Sequence, residues 1–124
     1  MVKWIGLIIG GVTGTLARYL LAGTVYGILG STFPYGTLVV NIIGCFLIGF
    51  LAAVAEDKFL LSPNARLLLM VGFCGAFTTF STFMFETVNL LRDGETMRAF
   101  MNIAGSIIIG FFCLRLGFLL GEVI

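Results

Sequence analysis

Apolar residues run along this chain in four long stretches separated by short polar breaks. The first begins at Trp4, behind Lys3, and fades into an uncharged segment, Gly23 to Tyr35, that carries the turn residues Gly30, Ser31 and Pro34. Glu56-Asp57-Lys58 closes the second stretch, Ser62-Pro63 opens the third, and Arg92-Asp93-Gly94-Glu95 divides the third from the fourth. A helix needs about 20 apolar residues to cross a bilayer core, and each stretch is near that length. The pattern predicts an all-α integral membrane fold forming a single transmembrane domain over residues 1–124. Its helices are expected over about residues 4–28, 36–55, 64–91 and 97–121. Pro63 suits the first turn of the third helix, and the uncharged first loop should lie close to the membrane interface. The first stretch outruns the apolar region of a signal peptide, contains Arg18 and lacks a small-x-small cleavage site, so it is expected to be retained.

The third stretch is longer than a straight crossing requires, which leaves room for a tilt or an interruption. Its middle, Gly72 to Glu86, holds four hydroxyl residues in five positions, Thr78, Thr79, Ser81 and Thr82, interleaved with phenylalanines and preceded by Gly72 and Gly75. Such a run is poor material for a plain lipid-facing helix. We therefore expect the third helix to be broken near Gly75–Thr79, with glycine permitting the turn. Non-helical backbone at membrane depth survives only against protein or a cavity, so the break demands a polar task. Beyond it, at 100° per residue, Phe80 and Phe83 fall within about 60° of each other, with Met84 and Thr87 on that face and Ser81 and Thr82 elsewhere.

Other positions divide between packing and chemistry. Gly6, Gly10 and Gly14 form a small-xxx-small ridge, as Gly117 and Gly121 do near the end of the fourth stretch. Arg18 lies deep in the first helix and serves either as an interfacial anchor or as an attractor of anions to an entrance. Asn41 is the one amide in the second stretch; it either bonds a neighbouring helix or donates to an anion. Asn102 and Ser106, one turn apart, could face it. Arg115 should reach toward the headgroups, and Glu86, six residues before Arg92, suits an interfacial ion pair or a helix-end role.

The composition, 60% hydrophobic and 10% charged, with a mean hydropathy of +1.16, narrows the function. A net charge of +1 without a basic cluster gives no nucleic-acid footprint. With no histidine and no nucleophile–base pair there is no enzyme to build, and Cys45, Cys74 and Cys113 read as apolar filler. Four crossings put both termini and the Glu56–Ser62 loop on one side with Lys3, Lys58 and Arg66, against Arg18, Arg92 and Arg98 on the other. Lysine and arginine asymmetry sets orientation, and this near tie, which Arg115 could tip by one, predicts insertion both ways up. Two rivals stand beside a channel. A dual-topology multidrug exporter has the same architecture but needs a membrane-embedded carboxylate, and the first, second and fourth stretches have none at depth. A non-transporting scaffold would need only the glycine ridges and aromatic packing.

Gly75 to Phe83, with Thr79-Phe80-Ser81-Thr82-Phe83 at its core, the run Gly36-Thr37-Leu38-Val39-Val40-Asn41, and Ala17-Arg18-Tyr19 together resemble the Fluc/CrcB fluoride channels over nearly the whole chain. The resemblance implies a dual-topology antiparallel homodimer in the bacterial or archaeal cytoplasmic (inner) membrane, passively exporting fluoride. It implies two pores, each lined by Phe80 and Phe83 with Ser81, Thr37, Ser106 and Asn41 nearby, and Arg18 in a vestibule. It also implies a central structural Na+ held by the backbone carbonyls of Gly75 and Thr78 from both subunits. One turn beyond Ser106, where some relatives carry a hydroxyl, this chain has Gly110.

Overall fold

The computed structural model describes residues 1–124 and is helical throughout. Helix α1 spans Val2–Leu29. Helix α2 spans Tyr35–Ala52 and continues through a wider π-type turn, Ala53–Asp57. The third crossing divides in two. Its first half, α3, covers residues 63–77, with α geometry over Pro63–Arg66, π-type geometry over Leu67–Cys74 and an α turn over Gly75–Phe77. Its second half, α4, covers Phe80–Arg92, and α5 runs over Thr96–Val123. All four crossings are long and apolar enough to span a bilayer, and the chain is a multi-pass membrane protein.

Helix α1 passes straight through Gly23, where the uncharged segment begins, and stops only at Gly30, whose φ is +83°, close to the expected end near residue 28. The physical reason is local. Gly23 and Gly27 cost helix propensity, but no proline or charge interrupts the run, and the Thr24 hydroxyl is satisfied within the helix by donating to the Leu20 carbonyl at 2.8 Å. At about 1.5 Å per residue its 28 residues measure about 42 Å, longer than the core of a bilayer. The connection to α2 shrinks to Gly30–Pro34.

Capping marks the other ends. The Ser62 hydroxyl accepts from the Ala65 amide at 3.1 Å ahead of Pro63. Arg66 reaches back to the Ala55 carbonyl at 2.6 Å, tying the connecting loop to the foot of α2. Two pairings then carry the packing: α1 lies along α3, and α2 along α5. Each is a backbone-to-backbone approach across glycine. A Cβ on Gly10 would strike the Leu68 carbonyl and one on Gly14 the Phe73 carbonyl; Gly49 and Gly117 play the same part between α5 and α2. Only 22 of 124 residues are buried, and many large apolar side chains, Phe112 and Leu116 among them, face outward. That distribution suits lipid as solvent, where helices associate by close packing rather than by burying oil.

Candidate functional site

Two consecutive threonines break the third crossing. Thr78 (φ −94°, ψ 158°) and Thr79 (φ −149°, ψ 122°) are both extended. Gly75, expected to supply the turn, is instead helical at φ −61°, ψ −39°. The break is possible because side chains replace the lost ladder. Thr79 N–H donates to Asn41 Oδ1 at 2.8 Å, and Asn41 Nδ2 donates to the Thr79 carbonyl at 3.0 Å, so one amide side chain closes a ring on one peptide unit. Arg18 Nε donates to the Ala76 carbonyl at 2.9 Å. Thr79 Oγ1 accepts from the Thr82 amide at 3.3 Å and caps α4.

These replacements have a remainder. In an unbroken helix the amides of residues 79 and 82 would bond the carbonyls of Gly75 and Thr78. Both amides are taken by side chains, Asn41 and Thr79, so the two carbonyls lose their helical donors. Gly75 lies exposed, with no atom beyond its own stretch of helix within 4 Å of where a Cβ would stand.

Two cavities adjoin the break and a third lies further along α4. A groove of about 410 Å³ is lined by Asn41, Gly75, Thr78, Phe80, Phe83 and Ser106, among others. A cleft of about 660 Å³ holds Arg18, Tyr26, Thr37 and Thr82. A polar mouth of about 380 Å³ carries Ser31, Asn89, Asp93, Glu95 and Arg98. Groove and cleft share one lining residue, Thr79, and cleft and mouth share one, Glu86. Neighbouring cavities thus meet at shared walls, the Asn41-clamped peptide at one and a carboxylate at the other.

The structure therefore gathers Asn41, Phe80, Phe83, Ser106, Gly75 and Thr78 in the groove, puts Arg18 and Thr37 in the cleft, and leaves Ser81 exposed on α4, lining none of the three. The Phe80 and Phe83 rings meet edge to face, centroids 5.9 Å apart and planes at 61°. They are unequal, since Phe83 is 7% exposed and Phe80 73%. Ser106 Oγ is buried with no hydrogen-bond partner in the chain. Asn102, expected to face Asn41, instead donates to Thr87 Oγ1 at 2.9 Å, and Thr87 in turn donates to the Phe83 carbonyl at 2.7 Å. That relay supports the helix turn from which Phe83 projects.

Comparison with known proteins decides the lineage. A sequence profile described as "CrcB-like protein, Camphor Resistance (CrcB)" matches residues 5–118. A protein of Nitrosococcus oceani named "Fluoride-specific ion channel FluC" is 46% identical over 98% of this chain and 95% of its own length. One of Solidesulfovibrio magneticus with the same name is 47% identical over the full length of both, and one of Chlorobaculum tepidum is 52% identical over 91% of this chain and 89% of its own length.

The chain belongs to the CrcB family.

Sequence reasoning missed one element of this CrcB site. Glu86 forms no ion pair with Arg92; its helix-end role falls at the first turn of α2 rather than on its own helix. Its Oε2 accepts from the Tyr26 hydroxyl at 2.6 Å and its Oε1 from the Thr37 hydroxyl. The ion pair that does form, Arg98 to Glu95 at 3.7 Å, is an exposed one-turn contact of little energetic weight. Tyr26 lies within the helix expected over about residues 4–28, but spacing along one helix does not show which residues of another it meets. With no helix stop before Gly30, α1 carries Tyr26 up to the level of α2's first turn.

Proposed function

We propose that this CrcB chain is a fluoride-selective passive channel, and not an enzyme, as its named relatives are fluoride-specific channels. The observation that carries the reading is the groove at the broken helix, where an aromatic pair, a buried unpartnered hydroxyl and an amide side chain line one space. A phenyl ring is negative on its face and positive at its edge. A ring pair met edge-on therefore favours an anion without holding it fast enough to stop conduction. Asn41 spends one amide hydrogen on Thr79 and keeps a second for the groove. Ser106 adds a hydroxyl donor. Small donors in a narrow space replace the water around the smallest halide better than that around chloride.

Upstream, the Arg18 guanidinium, committed through Nε alone, keeps its remaining N–H groups toward the cleft, and its charge draws anions in. Fluoride would pass from mouth to cleft to groove, across the Glu86 and Thr79 junctions. The exposed apolar faces and the near tie of lysine and arginine fit an antiparallel homodimer inserted both ways, with a pore on each side, in the cytoplasmic membrane.

A structural Na+ fits the same frame. The carbonyls of Gly75 and Thr78 have lost their helical donors, and such unwound carbonyls are the hard oxygen ligands that sodium takes in membrane proteins. No cluster of His, Cys, Asp or Glu competes as a metal site. Contributed by both copies, these carbonyls would hold the ion at the dimer centre, where it would take the place of their lost donors and lock the two breaks together.

The test is efflux from liposomes loaded with potassium fluoride, with valinomycin present and an electrode outside. Rapid fluoride loss with little chloride loss supports the proposal. Loss of neither ion from folded protein rejects it in favour of a scaffold.

A further inference from the structure

Tyr26 has no place in the permeation scheme above, yet three elements converge on it. From α1, its hydroxyl donates to Glu86 Oε2 on α4 at 2.6 Å and accepts from the Thr37 main-chain amide on α2 at 3.4 Å. Thr37 is the third residue of α2, so this amide has no carbonyl of its own helix to bond. The Thr37 hydroxyl completes the triangle by donating to Glu86 Oε1. Both carboxylate oxygens are thus tied to the N-terminal turn of α2, one directly and one through Tyr26. The fit is shaped by absence of a side chain: a Cβ on Gly36 would lie 2.7 Å from Tyr26 Cδ2 and nearer still to Cε2. Gly36 leaves the ring its seat.

The carboxylate so held is the single residue common to mouth and cleft. Asp93 and Glu95 face it from the mouth side, with Arg98 drawn to Glu95, and Arg18 faces it from the cleft. An anion passing from mouth to cleft meets Glu86 before it meets Arg18. A carboxylate pointing into that neck would repel it, whereas one folded onto α2 leaves its charge partly answered by two donors and the positive end of a helix.

We infer that Tyr26 is a positioning residue for anion passage, holding the Glu86 carboxylate against the first turn of α2 so that the neck between mouth and cleft stays open to fluoride. The inference rests on the channel reading. Tyr26→Phe removes one oxygen atom, keeps the ring in its seat beside Gly36 and releases Oε2.

The experiment compares fluoride efflux from proteoliposomes containing wild type or Tyr26→Phe, at low ionic strength and again in about 1 M of an impermeant salt. Electrostatic repulsion across a few ångströms of partly hydrated space corresponds to a rate loss of about tenfold. The screening length falls to about 3 Å at 1 M salt, so the deficit should shrink below about threefold. A deficit that salt does not change assigns Tyr26 a packing role and overturns the inference. So does efflux equal to wild type, or loss of the assembled state on gel filtration. Wild-type protein that passes no fluoride at either ionic strength rejects the channel reading itself, a result distinct from all of these.

Discussion

Replacing Asn41 tests the physical basis of the broken helix. Asn41→Leu keeps the heavy-atom count and branching of the side chain and removes both bonds to Thr79, the 2.8 Å one received from its amide and the 3.0 Å one given to its carbonyl. Hydrogen bonds between helices in membranes are worth about 0.6–2 kcal/mol each, so two lost together cost about 1–4 kcal/mol. Thr79 stands at the junction of two cavities, where water can take over part of the bonding, and this places the expected loss near 2 kcal/mol. That is about a 30-fold shift in the folding equilibrium. Asn41→Asp keeps the acceptor for the Thr79 amide, has no donor for its carbonyl and adds a charge at depth, so it should lose at least as much. Unfolding in mixed micelles, followed by circular dichroism against denaturing detergent, reads the difference. A Leu variant within about 0.5 kcal/mol of wild type would show that the break stands without its clamp, and the reasoning would fail.

Ser106→Ala removes a buried hydroxyl that has no partner, so stability should hold or rise by up to about 1 kcal/mol while fluoride efflux slows; lost stability would mean that the hydroxyl is bonded. Gly44→Ala should cost about 1–3 kcal/mol, because its Cβ would collide with Thr78 Cγ2, and Thr78→Ser should recover most of that loss by deleting the methyl group, both read by the same unfolding titration. Phe80→Ile and Phe83→Ile should each lower fluoride efflux without preventing dimer formation on gel filtration. Unchanged efflux in both would remove the ring edges from the mechanism.

The architecture was legible because its causes are local. Runs of apolar residues long enough for lipid predict the four crossings, and a cluster of hydroxyls within one of them predicts that it cannot stay helical. What stayed hidden depends on rotation and height of one helix against another. Gly75 drew attention as the residue able to turn, yet the turn falls at Thr78 and Thr79, where Asn41 on another helix supplies the replacement bonds. No pattern within α3 could indicate that. Asn102 and Ser106 share a face by spacing, but only the placement of α4 sends Asn102 to Thr87 and leaves Ser106 in the groove. Likewise, the binding of Glu86 by Tyr26 and Thr37 joins residues 60 and 49 positions apart in the chain and becomes visible only when α1, α2 and α4 are set against one another.

The most direct test of the account is the reversal potential of the purified protein in a planar bilayer, with potassium fluoride on one side and potassium chloride on the other. A selective fluoride pathway predicts current that reverses far from zero, at the sign set by fluoride moving down its gradient. Reversal near zero, or the absence of current from protein shown to be inserted and assembled, would contradict it.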